Sequence, residues 1–254
     1  DYGTFVSLKL PSKFGTSQCI FEYVYFARPD SRIFGEYVTK VRRELGRQLA
    51  REHPVPDVPE GDPAPVIIPI PESAAHATLG YAEESMKMGR PCTVDLGFFR
   101  NPYVGRSFIS PSQELRDLKV LCKFNPMTHV LKGKHVVVVD DSIVRGTTAR
   151  QLVGLIYNAG AKSVHVRISS PPVTDPCFYG MDFPSKEELF ANKYAGNIEL
   201  MTQWLRVESL GYLTPEGLVE AATRSSGTKH SFCRACFTGV YPVPVSGGSS
   251  STDW

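Results

Sequence analysis

Apolar and polar positions along this chain switch between two periods, and the switches mark units of strand, loop and helix. Four consecutive valines, Val136 to Val139, form one apolar run, and Val66 to Ile70 form another. Short β-branched runs of this kind suit strands buried on both faces, as in a parallel sheet. Aromatic and β-branched residues dominate Ile20–Phe26 and predict a further strand, ended by Pro29, Asp30 and Ser31. Cys92–Phe98, with Leu96 and Phe98 facing inward, and Ser163–Ser169 predict two more. Elsewhere the period is helical. Residues 35–52 place Val38, Val41, Leu45 and Leu49 on one stripe and Arg and Lys on a solvated face. Residues 74–85 follow as a second helix. From Thr147 onward Leu152, Leu155 and Ile156 recur at helical spacing, with a stop at Asn158 to Gly160. Residues 199–205 read as a helix, and 214–221 as another with Pro215 just inside its start. Ser185 stands three residues before Glu188, the capping-box spacing for a helix over 186–192. Strands alternating with helices predict an α/β fold, with a mainly parallel twisted sheet flanked by helices.

The stretch Lys134–Arg150, KHVVVVDDSIVRGTTAR, carries the most chemistry. A buried strand ends in Asp140 and Asp141, a short polar loop containing Gly146 follows, and a helix starts at Thr147. Ligands of open α/β sheets bind at the carboxyl ends of strands. A helix N-terminus offers unpaired N–H groups and a positive dipole end, which suit a phosphate. Two carboxylates suit ribose hydroxyls or a hard cation such as Mg²⁺. The bland alternative is a solvated acidic turn. A second strand–loop–helix unit places Pro71, Glu72 and Ser73 at the end of the Val66–Ile70 run, where chemistry alone makes Ser73 a helix N-cap. The connection Arg100–Lys134 is long, basic and rich in aromatics, as functional lids are.

The chain has 254 residues, and its formal charge of +2 is too small to argue for nucleic acid. It contains no apolar run long enough to span a membrane and no secretory pattern at its start. There is neither a G-x-x-x-x-G-K-[ST] loop nor a G-x-G-x-x-G turn. Residues 1–18 read as a remnant or linker, 19–242 as the folded domain and 243–254 as a disordered tail. Six cysteines are too few for a disulfide scaffold. Cys233 and Cys236 have C-x-x-C spacing, which fits zinc, an iron–sulfur cluster or a redox pair, and buried free thiols are as good a reading.

The run VVDDSIVRGTT resembles the phosphoribosyl-pyrophosphate (PRPP) motif of the type I phosphoribosyltransferases, in the form close to that of the glutamine PRPP amidotransferases. Three cysteine contexts, CIFEYVYFARPDS, PCFYG and C-x-x-CFTG-x-YP, resemble the iron–sulfur-containing class of that family, and the resemblance spans Cys19 to Pro242. It implies the type I phosphoribosyltransferase fold with a flexible lid. It also implies a pentosyltransferase that moves ammonia, normally taken from glutamine, to C1 of PRPP, giving 5-phosphoribosylamine and pyrophosphate. That is the first committed step of de novo purine biosynthesis. Carried over residue by residue, the catalytic set is Asp140, Asp141, Arg106 and Tyr103. The PRPP loop is Asp140, Asp141, Ser142, Ile143, Val144, Arg145, Gly146, Thr147 and Thr148. Mg²⁺ falls to Ser73, Asp140 and Asp141. A 4Fe–4S cluster falls to Cys19, Cys177, Cys233 and Cys236, with Zn²⁺ in the same cage as the alternative, and Cys92 and Cys122 are left as ordinary thiols. The lid core is Tyr103, Val104, Gly105, Arg106 and Phe108. Pro102 departs from the family, where arginine is usual, and puts PRPP affinity or lid closure in question.

The resemblance further implies purine nucleotides as feedback inhibitors, a homo-oligomer, and a cytoplasmic or plastid setting without nucleic acid or membrane. The family's N-terminal glutaminase, with its leading cysteine, has no counterpart before Cys19, where the chain opens on Asp1. This predicts a separate glutaminase domain or subunit and an ammonia-dependent chain. Two alternatives stand beside this reading. One is a purine or orotate phosphoribosyltransferase of the same fold. The other is a non-catalytic regulator that senses PRPP or purine nucleotides.

Overall fold

The computed structural model describes residues 15–103, 123–226 and 231–244. Its centre is a five-stranded sheet in the order Ser209–Tyr212, Ser163–Ile168, His135–Asp140, Val66–Pro69, Thr93–Val94, with every neighbouring pair parallel. The valine run occupies the middle strand. Side chains alternate across a strand, and the two faces enter different cores. Val137 and Val139 join Val38, Val41, Leu45 and Leu49. Val136 and Val138 join Leu152, Val153 and Ile156. The helices Val38–Glu52, Ala75–Lys87 and Pro215–Ser226 therefore cover one face, and Thr147–Asn158 and Ile198–Leu205 the other. In chain order the sheet runs second, first, third, fourth, fifth strand. The direction of winding reverses between Val66–Pro69 and His135–Asp140, and ligands of such sheets bind in the crevice at that point.

Several expectations are corrected. Ile20–Phe26 is not a strand. It forms a wide helical turn, closed where the Ala27 N–H donates to the Glu22 carbonyl at 3.0 Å. Ile20, Phe21, Tyr23 and Val24 are all buried. That one–two–four–five spacing suits a helical turn and not a strand, so packing overrides β propensity. Cys92–Phe98 is split. Thr93–Val94 is the sheet edge, whereas Phe98–Arg100 pairs antiparallel with Phe124–Pro126. Leu96 lies between the two and is 65% exposed, while Phe98 is buried as expected. The helix expected over 186–192 breaks at Leu189, with φ −66° and ψ 131°, and Ser185 makes no side-chain cap there. The break allows both Leu189 and Phe190 to be buried. Ser209–Tyr212 is a strand that the sequence pattern did not show. The expected linker and tail lie mostly outside the described residues.

The arginines expected on a solvated helix face instead tie two helices together. Arg43 and Arg47 pair with Glu83, and Arg51 pairs with Glu84 at 2.7 Å. The backbones meet closely there. A Cβ on Gly46 would lie 1.8 Å from the Ala77 carbonyl oxygen, and one on Gly80 would lie 1.9 Å from that of Arg43.

At the end of the sheet opposite the Asp140 loop, a polar ladder crosses three strands. His135 Nε2 is 2.7 Å from Asp62 and its Nδ1 is 2.7 Å from Ser163 Oγ. Ser163 Oγ is 3.2 Å from His165 Nε2, and His165 Nδ1 is 2.9 Å from Ser209 Oγ, to which Arg167 donates. Burial, then the Arg167 and His135 charges, push His165 down to about 4 from its ordinary 6.5. The unfolded chain therefore takes up this proton first. The contribution of His165 to stability is complete above pH 6.5 and is lost as pH falls towards 4. Urea titrations across that window should show a decline of about 2 kcal/mol from this residue, allowing for partial solvent screening. His165→Gln should flatten that part of the profile; an unchanged slope would contradict the assignment.

Candidate active site

The middle strand delivers Asp140 and Asp141 to the crevice at the reversal point. Asp141 is 5% exposed. Its backbone N–H donates to Asp140 Oδ1 at 2.8 Å, and the Ser142 hydroxyl donates to Asp141 Oδ1 at 2.5 Å. Ser73 stands near enough for its hydroxyl to favour the Asp141 carboxylate. The cap position of the helix that follows it is Ala74, which makes no side-chain cap. Gly146 caps the next helix with φ +81°, a conformation that favours glycine, and no side chain caps that N-terminus. The first-turn N–H groups lack intrahelical partners by construction, so they are available to an anion. Tyr25, Ile70 and all residues from Asp140 to Ala149 line one cavity of about 450 Å³.

The acidic pair is electrostatically costly. Burial raises the Asp140 carboxyl well above its ordinary range, and the Asp141 charge adds to that. Burial likewise raises Asp141, against the Ser142 and Ser73 hydroxyls and the positive charge of Arg42. Arg42 is itself 2% exposed. Its guanidinium donates to the carbonyls of Tyr23, Tyr25 and Ala27 at 2.9, 2.8 and 2.9 Å. The wide turn is therefore pinned beside the acidic pair. Tyr25 also lines an adjoining cavity of about 420 Å³ whose polar wall includes Arg28, Arg42, Ser73, Arg100 and Lys123. One cavity thus presents carboxylates and a helix N-terminus. Its neighbour presents cations and a hydroxyl, which suit a second anionic group.

Of the lid residues, Tyr103 is described and 94% exposed, away from the acidic pair's burial. Val104, Gly105, Arg106 and Phe108 lie outside the described residues, as does Cys122. The four cysteines carried over from the resemblance converge. Cys19 and Cys233 face each other in a two-residue parallel pairing, and Cys19, Cys177, Cys233 and Cys236 all line one cavity of about 450 Å³. Burial raises Cys19, Cys233 and Cys236, and the sulfurs raise one another further. Among the described residues no group of three or more His, Cys, Asp or Glu is gathered closely enough to hold a single metal ion. Arg42 and Phe190 were missed by the sequence reading. A buried arginine inside an otherwise solvated stripe leaves no signal in periodicity, and Phe190 acts through a contact 44 positions from Gly146.

Comparisons with known proteins place this geometry. No protein-family profile matches the chain. It is 46% identical over 250 residues to the amidophosphoribosyltransferase of Methanocaldococcus jannaschii, covering 96% of this chain and 49% of that protein. It is 48% identical over 229 residues to that of Archaeoglobus fulgidus, covering 90% of this chain and 47% of that protein. The structure of the B. subtilis glutamine PRPP amidotransferase complexed with ADP and GMP superposes with a TM-score of 0.75 at 44% identity, over 89% of this chain and 47% of that one. An allosteric regulatory enzyme of purine biosynthesis superposes with a TM-score of 0.76 at 42% identity, over 92% of this chain and 48% of that one. The chain therefore spans about half the length of the relatives it matches. The α/β fold with a mainly parallel sheet is the one these proteins share. Among the described residues no helix is long and apolar enough to cross a membrane.

Two buried like charges destabilise the fold unless a cation joins them. Asp140→Asn should therefore raise the stability of the protein by about 1 kcal/mol. Thermal unfolding reads the effect; a destabilised variant would contradict the account.

Proposed function

We propose, for a chain that belongs to the amidophosphoribosyltransferase family over the half of those proteins that it spans, that it transfers ammonia to C1 of PRPP, giving 5-phosphoribosylamine and pyrophosphate. The observation that carries this reading is the single cavity lined by every residue from Asp140 to Ala149 at the reversal point of the sheet. The helix N-terminus at Gly146–Thr148 receives the 5′-phosphate through backbone N–H groups and two hydroxyls. Asp140 and Asp141 face the ribose and favour the positive charge that builds on the sugar as the C1–oxygen bond breaks. The adjoining cationic cavity receives the departing pyrophosphate, with Arg28 and Arg100 as its planar donors. Neutral ammonia carries its own lone pair, so the site needs to exclude water more than it needs a strong base. Arg106 and Tyr103 are the lid residues we assign to that exclusion. Mg²⁺, held by Asp140, Asp141 and Ser73, would neutralise charge on the leaving group.

The four cysteines fit a 4Fe–4S cluster. What supports this is that all four line one cavity; four thiolates suit a tetrahedral zinc ion as well, and iron and sulfide analysis separates the two. The cluster's part is structural: Cys19 precedes the wide turn, Cys233 and Cys236 close the far end of the folded chain, and Cys177 lies between. The B. subtilis relative was solved with ADP and GMP, and purine nucleotides are accordingly proposed as ligands of this chain too.

Pyrophosphate release from PRPP with Mg²⁺ and ammonium tests the activity. The parent protein should turn over, and the Asp140→Ala/Asp141→Ala variant should lose about 10²- to 10³-fold in kcat/KM. No release from the parent under saturating ammonium would overturn the reading. Anaerobically prepared protein should contain iron and acid-labile sulfide in roughly equal amounts, about four of each per chain. Cys236→Ser should lose both. Stoichiometric zinc without sulfide would replace the cluster by the tetrathiolate ion.

A further inference from the structure

The loop assigned to the phosphate is braced from one side by a segment far along the chain. Three of its positions, and Arg150 just beyond it, meet residues 188–204. The Phe190 N–H donates to the Val144 carbonyl at 2.8 Å. The Phe190 ring fills the space beside Gly146, where an added Cβ would lie 2.6 Å from Cδ2. Arg145 pairs with Glu188 at 3.3 Å, on the exposed rim. Arg150, in the first turns of the following helix, places its guanidinium 4.6 Å from the centre of the Trp204 ring. Trp204 in turn packs on Phe190, with ring centres 5.1 Å apart.

These contacts differ in weight. The Arg145–Glu188 pair is solvated and contributes little. Phe190 is 1% exposed, and it is held on two sides, by Trp204 and by Tyr194 at 5.4 Å. A ring fixed in this way sets the position of the Gly146 backbone, and with it the direction of the N–H groups that follow. Its own placement depends on the break at Leu189, which turns two consecutive apolar side chains inward.

We infer that Phe190, backed by Trp204, is the positioning residue of the phosphate loop: it touches no reacting atom and sets where the Gly146–Thr148 N–H groups point. This rests on the proposed PRPP reading for its kinetic consequence, but not for its structural one. Because the loop would hold a phosphate that does not change during the reaction, loosening it should weaken substrate and transition state alike.

The test uses Phe190→Leu and Trp204→Leu in the complete protein, with Ile156→Val as a control. Ile156 is fully buried in the same core, beyond the loop. Both test variants should raise KM for PRPP by about tenfold or more, with kcat held within about threefold, and the control should move neither. Hydrogen exchange supplies the second measurement. The amides of Phe190 and Arg150, which donate to the loop carbonyls of Val144 and Gly146, should lose at least about tenfold protection in Phe190→Leu, while those of 136–139 keep theirs. Parent-like KM together with parent-like loop protection would overturn the proposal, as would an equal rise in KM for Ile156→Val. If the parent releases no pyrophosphate, the PRPP reading fails, and the exchange measurement alone decides whether Phe190 sets the loop.

Discussion

Placing two carboxylates, largely withdrawn from water, at the end of a strand buried on both faces is the constraint on which the rest of this structure depends. Neither charge has a salt-bridge partner among the described residues; burial raises both, and the Asp141 charge raises Asp140 further. The surroundings offset the cost only in part. Ser142 donates to Asp141, and the Ser73 hydroxyl and the Arg42 charge favour its carboxylate from nearby. A site that leaves part of an electrostatic cost outstanding favours positive charge placed beside it.

Arg42 links this constraint to the ends of the fold. Its fork spans three carbonyls of the wide turn that begins just after Cys19. The same turn contributes Tyr25 to both cavities. Cys19 is paired to Cys233, so a segment near the start of the described chain is closed against one near its end. The N-terminal turn, the acidic loop and the paired Cys19 and Cys233 segments are thereby built on one another. The Gly46–Gly80 approach, too close for any side chain, sets how near the helix carrying Arg42 comes to the helix that follows Ser73.

The parts of the site that were legible in the sequence are local. Val136–Val139, the acidic pair, the polar loop and the helix from Thr147 are contiguous, and their order alone carries the chemistry of a phosphate and sugar site. The helix stripes of 38–52 and 147–158 were legible for the same reason, since every apolar position is read against neighbours three or four residues away. The misreadings share one cause. Ile20–Phe26 has strand composition, but Ile20, Phe21, Tyr23 and Val24 are buried while Tyr25 and Phe26 are exposed, a spacing that β alternation cannot produce. Ser209–Tyr212 is short and bears only Leu210 and Tyr212 as large apolar residues, too few to show a period. Leu96 was placed inward by alternation that stops at Gly97, where the backbone passes against Ile68.

By itself the sequence determined the alternation of strands and helices, the composition of the acidic loop and the four thiols with a shared context. It did so because those features depend on residue order within a few positions. Only the tertiary structure decided that Ser73 stands near Asp141 while Ala74 takes the cap position, that Arg42 is buried beside the acidic pair, and that Phe190 backs Gly146. Each of these joins residues 44 or more positions apart, or in the case of Arg42 reverses the solvated placement that helical periodicity assigns. The physical reason is common to all three: a buried polar or aromatic group takes its role from whatever encloses it, and what encloses it is chosen when the sheet brings distant strand ends together.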